Sequence, residues 1–420
     1  MAVLAGSASR DEGRARGVRR LAEADPEIAR LVQAEDRRQT TGLQLIASEN
    51  IASAAVREAV GSVLTNKYAE GTPGRRYYSG CEVADEVETL AQRRAQALFR
   101  TDYHANVQPH AGTQANLAVY MAVLKPGDRI LALDLHQGGH LSHGFRLNQA
   151  GKLYDAHFYT VSRETERLDY DEIARLAAEL KPKLLLCGAS AYPRTIDFAR
   201  FGAIAKSVGA YLHADIAHIA GLVAAELHPT PFGHADFVTT TTHKTLRGPR
   251  GGLVFCRQEH QKVVDSAVFP GLQGGPLEHE IAGKAVAFHE AMQPSYRAYQ
   301  KAVLANARVL ADELAARGWR IVSGGTDVHL LLMDLRSAND PTLEGDGAQK
   351  RLAARRVFVN KNLIPYDTGT AAKPSGLRLG TPAMTTRGFG EADFREVARI
   401  VDDVLRGRED GIDERVAALA

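Results

Sequence analysis

Between residues 113 and 256 the chain alternates short apolar runs with helical stretches, and this alternation restricts the fold more than any other feature. A helical stretch from Thr113 to Leu124 stops at Lys125-Pro126-Gly127-Asp128, and "RILALDL" after it reads as a buried strand. "KLLLCGAS" (Lys183 to Ser190) is the next strand, and "DFARFGAIAKSVG" (Asp197 to Gly209) is a helix closed by glycine. "AYLHADIAH" (Ala210 to His218), "DFVTTTTH" and "GGLVFC" continue as strands. The pattern predicts an α/β fold built on a mostly parallel sheet covered on both faces.

After Gly275-Pro276 the texture changes. "EHEIAGKAVAFHEAM" and "SYRAYQKAVLANARVLADELAARG" read as long helices, followed by "WRIVSGG", "HLLLMDL" and "VFVNKN" as strands of a smaller unit. A chain of 420 residues exceeds the size at which single cores stop growing, about 250 to 300 residues. We therefore expect an N-terminal tail and arm over 1–65, a large domain over 66–290 and a small C-terminal α/β domain over 291–420. The arm begins at Asp25-Pro26, an N-cap acid before a first-turn proline, with Ile28, Leu31 and Val32 on one helix face. Before it, "SRDEGRARGVRR" is arginine-rich, but Asp11 and Glu12 argue against a transit peptide, and the expectation is a disordered tail.

Composition excludes several classes. With 52 basic against 50 acidic residues the net charge is +2, and no concentrated basic face points to nucleic acid or a membrane surface. No apolar stretch approaches the length of a membrane span. The three cysteines, Cys81, Cys187 and Cys256, are too scattered for a disulfide framework and read as buried thiols in a reducing, cytoplasmic setting.

The polar residues at predicted strand ends carry the chemistry. Lys244 follows "FVTTTTH", and Asp215 and His218 lie in "HADIAH". "PHAGTQAN" places Gly112 and Thr113 where a loop enters a helix, offering free N–H groups to an anion. An amine, a buried acid and a phosphate cradle are what pyridoxal phosphate needs: a Schiff-base partner, a carboxylate that keeps the pyridine nitrogen protonated, and an anion site. Taken singly, each has a plainer use as surface lysine, turn former or helix cap. His136, His140, His143, His213 and His218 raise a metal alternative, but Gly138-Gly139 breaks any helix that would align the first three, and no metal is expected.

Long ordered motifs then identify a family. "LIASEN" (Leu45 to Asn50), "LTNKYAEGTPGRRYYSG" (Leu64 to Gly80), "GGHLSHG", "SAY" (Ser190 to Tyr192), "DIAHIAGLVAA", "TTTTHKTLRGPRGG", "SAVFPGLQGGP" and "SGLRLGTPA" (Ser375 to Ala383) closely resemble those of serine hydroxymethyltransferases. The resemblance implies an aspartate-aminotransferase-like fold and a homodimer, or dimer of dimers, with active sites shared between subunits. The implied reaction moves the hydroxymethyl group of serine to tetrahydrofolate by way of an external aldimine. Carried over by position, Lys244 bonds the cofactor, Asp215 pairs with its pyridine nitrogen, His140 stacks on its ring, and Ser190 and His218 lie near its phenolic oxygen. Gly112, Thr113 and His243 hold the phosphate, with Tyr68 and Gly275 contributed by the neighbouring chain. Arg378 clamps the substrate carboxylate beside Ser48, a planar pairing suited to guanidinium. Glu70 and Tyr78 of the neighbour face the substrate hydroxyl. Leu135, Gly139, Leu141, Tyr77, Phe269 and Asn362 match the folate pocket.

The sequence departs from the family's usual residues at Gln44, at Ala111, at His136-Gln137 and around Lys373-Pro374. These leave two alternatives open: a folate-independent threonine aldolase or transaldolase, and a catalytically silent paralogue retained for protein or RNA binding. Retention of Lys244, Asp215 and Arg378 together speaks against the second.

Overall fold

The computed structural model describes residues 20–420 other than Asn339 and Pro341, so the tail expected before residue 20 lies outside the described residues. The first long helix, Pro26–Thr41, starts as its sequence dictates: Asp25 accepts from the Ile28 amide and proline occupies the first turn. Ile28, Leu31 and Val32 do share a face, but that face points outward, and each is about half exposed.

The strands, in chain order, are β1 (Leu43–Gln44), β2 (Gly71–Thr72), β3 (Arg75–Arg76), β4 (His104–Asn106), β5 (Arg129–Leu133), β6 (Asp155–Tyr159), β7 (Leu184–Cys187), β8 (Tyr211–Asp215), β9 (Phe237–Thr241), β10 (Gly252–Cys256), β11 (Arg320–Ile321), β12 (Leu330–Asp334), β13 (Val357–Phe358), β14 (Asn360–Asn362) and β15 (Gly376–Gly380). Seven form the main sheet in the order β4-β10-β9-β8-β7-β5-β6. Only β10 runs against its neighbours. Successive residues alternate faces: Leu131, Leu133 and Leu185 pack into one core with Ile173, Phe198 and Phe201, whereas Ile130, Ala132, Leu184 and Leu186 pack with Ala115, Val119 and Tyr120. The mostly parallel, doubly covered sheet predicted from the alternation is therefore present.

A four-stranded antiparallel sheet, β11-β12-β15-β14, carries another core around Leu331, Leu377, Leu379, Trp319, Phe394 and Val401. The helix Pro294–Ala316 serves both cores, giving Tyr296 and Leu304 to the first and Leu310 and Leu314 to the second. Two expected strands come out differently. "WRIVSGG" is extended only at β11, because Ser323, Gly324 and Gly325 take positive φ and turn the chain. "VFVNKN" divides at Val359: β13 pairs in parallel with β1, and β14 pairs with β15.

Candidate active site

The chemistry-bearing segments follow the carboxyl ends of parallel strands, where open α/β sheets leave their crevice. Asp215 ends β8, Lys244 lies three residues beyond β9, Ser190 three beyond β7, and the His140 loop follows β5. Ser48 after β1, Arg378 within β15 and Asn362 at the end of β14 close the opposite wall. Together they enclose a cavity of about 650 Å³. Gly112, Thr113, Leu135, Gly139, His140, Leu141, His218 and His243 complete the predicted residues that line it.

Lys244 is 9% exposed, and burial lowers its amine to about 8, with Arg378 and Arg250 adding to the effect against the pull of Asp215. Its backbone is gripped from distant parts of the chain. Asn50 donates to the Lys244 carbonyl at 3.0 Å and to the Tyr299 hydroxyl at 2.9 Å, and Thr386 donates to Asn50 Oδ1 at 2.8 Å. The next carbonyl, Thr245, accepts from Tyr296 and Gln300, both at 2.8 Å. Arg247, at φ 60°, lays its guanidinium 4.7 Å from the Tyr299 ring centre.

Asp215 is held as a carboxylate. Burial alone would raise its carboxyl, but the hydrogen bonds from His143 and Asn116, with the His140 imidazole nearby, together outweigh it, and the result lies well below the usual carboxylate range. His143 Nε2 is 2.9 Å from Oδ2, Asn116 donates to the same oxygen at 2.8 Å, and the Ala217 amide donates to Oδ1 at 3.0 Å. The Asn116 carbonyl is fixed in turn by Thr239 at 2.6 Å, and Thr239 Oγ1 is 2.8 Å from His213 Nε2. His140 sits on a short turn with Nδ1 2.7 Å from Ser142 Oγ, and burial followed by the nearby His143 lowers it to about 4. His218 is buried and stacked on His329 with ring centres 5.5 Å apart. The histidines that raised a metal alternative thus divide among separate partners.

Arg378 is 9% exposed, and its hydrogen bonds go to two uncharged oxygens: Nε to Asn360 Oδ1 at 3.0 Å and Nη1 to the Ser190 carbonyl at 2.6 Å. Burial depresses even this guanidinium to about 10. A buried cation without a carboxylate partner is costly unless an anionic ligand completes it.

The helix Gly112–Val123 begins without a side-chain cap, because Ala111 stands at its N-cap. A Cβ on Gly112 would come 2.6 Å from Thr241 Cγ2, so only glycine fits there without a shift. His243 Nδ1 is buried with no partner among the described residues. These open donors, with Lys244 and Asp215, fit an aromatic aldehyde that carries a phosphate and a protonatable ring nitrogen.

The remaining predicted residues lie elsewhere. Tyr68, Glu70, Tyr77, Tyr78, Phe269 and Gly275 do not line the cavity but form a surface cluster. Tyr68 donates to Glu70 Oε1 at 3.1 Å, its ring packs on Tyr78 at 5.0 Å, and Tyr77 packs on Phe269 at 5.7 Å. A Cβ on Gly275 would touch the Tyr68 ring at 3.3 Å. Tyr77 is 75% exposed.

Several residues of the site escaped the sequence reading. Glu49, Phe145, Arg250 and Lys361 line the cavity, and His143 and Asn116 hold Asp215. For His143 the available signal was its place three residues after His140. Of the departures, Gln44 bridges to Arg38 of the arm helix at 3.0 Å, and His136 leans on Asp134 at 3.1 Å. Lys373 is paired with Glu344 at 3.4 Å on the surface.

Compared with known families, the chain matches the model described as serine hydroxymethyltransferase over residues 21–401.

Proposed function

Because the chain belongs to the serine hydroxymethyltransferase family, a family of fold-type I, pyridoxal-phosphate-dependent enzymes of serine, glycine and folate one-carbon transfer, we propose that it moves the hydroxymethyl group of serine reversibly to tetrahydrofolate. The products are glycine and 5,10-methylenetetrahydrofolate. The observation that carries this reading is that the buried amine of Lys244, the ionised Asp215 and the carboxylate-free Arg378 all face one cavity.

Pyridoxal 5'-phosphate, when bound, supplies an electron sink for the bond cleaved at the amino acid's α-carbon. Lys244 Nζ would be the amine that holds the group's aldehyde carbon, a role eased by an amine that is partly neutral near pH 8. Asp215 keeps a proton on the ring nitrogen, and His143 and Asn116 keep Asp215 charged and oriented. Gly112, Thr113 and His243 hold the phosphate, His140 covers the ring, and Ser190 and His218 border its phenolic oxygen. Arg378 and Ser48 would grip the serine carboxylate and so orient the amino acid in the cavity. Leu135, Gly139, Leu141 and Asn362 line the folate side.

On this reading the surface cluster serves a second copy of the chain. Tyr68 and Gly275 reach the neighbour's phosphate, Tyr77 and Phe269 its folate, and Glu70, with Tyr78, moves a proton between the serine hydroxyl and folate. The chain then acts as a homodimer, or a dimer of dimers, with residues 66–290 as the large cofactor-binding domain and 291–420 as the small C-terminal domain. Cys81, Cys187 and Cys256 are free and buried, which suits a cytoplasmic enzyme. Among the described residues no helix is long and apolar enough to cross a membrane.

One assay tests the reading. Purified protein supplied with serine makes glycine at a rate strongly increased by tetrahydrofolate. Equal rates with and without folate, together with faster cleavage of threonine, would replace it with the aldolase.

A further inference from the structure

Lys284, on the helix Glu278–Ala291, is 1% exposed and plays no part in the scheme above. Its Nζ donates to three backbone carbonyls: Val107 at 2.7 Å, Gly252 at 2.9 Å and Pro109 at 3.1 Å. Three acceptors match the three donors of an ammonium, whereas a neutral amine would leave one acceptor unserved. All three partners are uncharged, so the positive charge is not cancelled at contact distance.

The position of this charge is specific. Val107 and Pro109 lie on the loop that delivers Ala111 to the N-cap of the helix Gly112–Val123, and Gly252 opens β10. The Gly252 amide also donates to the Pro109 carbonyl at 2.9 Å. A Cβ on Gly251 would come 2.4 Å from Lys284 Cε, so the glycine at this position leaves room for the side chain. The charge is felt at the cavity's edge: after burial itself, Lys284 helps to lower His110, and it contributes with Arg250 and Lys244 to lowering His243.

We propose that Lys284 is a positioning residue for the phosphate cradle, tying the Val107–Ala111 loop to β10 and placing a buried positive charge behind the anion bound at Gly112 and Thr113. The proposal rests on the reading of the cavity as a pyridoxal phosphate site and adds to it a buried lysine behind the phosphate cradle. Burial draws the Lys284 amine down to about 8, and Glu280, Glu88 and Glu278 oppose that fall. The groups facing it are therefore these three carboxyls and His110.

The test compares pyridoxal phosphate with pyridoxal, which shares the aldehyde and ring but lacks the phosphate. Each is titrated into the apoprotein, wild type and Lys284→Met, by absorbance. The variant should lose about tenfold or more in affinity for pyridoxal phosphate and change by less than about threefold for pyridoxal, since only the phosphate meets the missing charge. Equal losses for both ligands, or none for either, would overturn the proposal while leaving the cofactor reading intact. Failure of the wild type to bind pyridoxal phosphate would overturn both.

A second measurement covers a variant that does not fold. In Lys244→Ala protein labelled at lysine Cε, the buried lysine that titrates near 8 is followed by NMR with and without inorganic sulfate, whose charge is constant over this range. Sulfate in the cradle should move its midpoint upward, because a nearby anion favours the ammonium. A saturating signal at the cradle amides with no movement of that midpoint would overturn the proposal.

Discussion

His143 Nε2 and Asp215 Oδ2 stand 2.9 Å apart, joining a turn that follows β5 to the last residue of β8. The His143 ring is nearly fully buried, and its Nδ1 lies 3.3 Å from the His140 amide. The amide is a donor, so Nδ1 accepts and Nε2 carries the proton given to Asp215. Replacing His143 with alanine removes a charge-assisted hydrogen bond worth about 1.5 to 3 kcal/mol. We expect kcat to fall by about ten- to a hundredfold with serine affinity little changed. Steady-state kinetics checks this, and a larger loss in serine binding than in turnover would contradict it.

Arg378→Ala should weaken serine binding by about 2 to 5 kcal/mol, the usual cost of stripping one partner from a desolvated charge pair. Cofactor binding should persist, because the cavity's cofactor residues lie on other elements. Serine titration by calorimetry tests it. Unchanged affinity would put the carboxylate clamp elsewhere.

Lys244 titrates near 8, below an ordinary lysine, and only its neutral form attacks an aldehyde. Below that pH the neutral fraction drops by about tenfold per unit. Capture of pyridoxal phosphate by the apoprotein should therefore speed up as pH rises towards 8 and level off above it. Stopped-flow absorbance gives the profile; a rate that falls with rising pH across this range would exclude Lys244 as the attacking amine.

If Glu70 serves the neighbour's Lys244, mixing a Lys244→Ala chain with a Glu70→Ala chain creates dimers with one doubly damaged and one intact site. Random pairing of equal amounts makes half the dimers mixed, so activity should recover to roughly a quarter of wild type. Each variant is measured alone first. Verified mixed dimers that stay inactive would assign Glu70 to its own chain's site.

Much of the site could be read before any coordinates, because strand-end position is a local property. The β-branched run before Lys244 and the apolar run before Asp215 each announce a strand and its end. Contacts across the chain leave no such trace. Nothing around His143 indicates that its acceptor lies on β8, and nothing near Lys284 reveals three carbonyls from two other segments. "VFVNKN" has the same period throughout, yet its halves pair with β1 and β15, since alternation specifies a strand but not its partner. The outward face of Ile28, Leu31 and Val32 was likewise visible as a stripe, though its direction was not.

The grip on the Lys244 carbonyl has a consequence for the order of events during synthesis. Asn50, Tyr299 and Thr386 converge there from the beginning, the middle and the end of the chain. Ribosomes release these pieces in sequence, and the sheet can form well before the last of them emerges. A nascent chain that stops before Thr386 has its lysine but neither the completed clasp around it nor the final strap over Asn50. Cofactor capture should thus be the closing step of maturation. Fragments ending short of Thr386 should fail to retain pyridoxal phosphate through a desalting column even where their main sheet has folded.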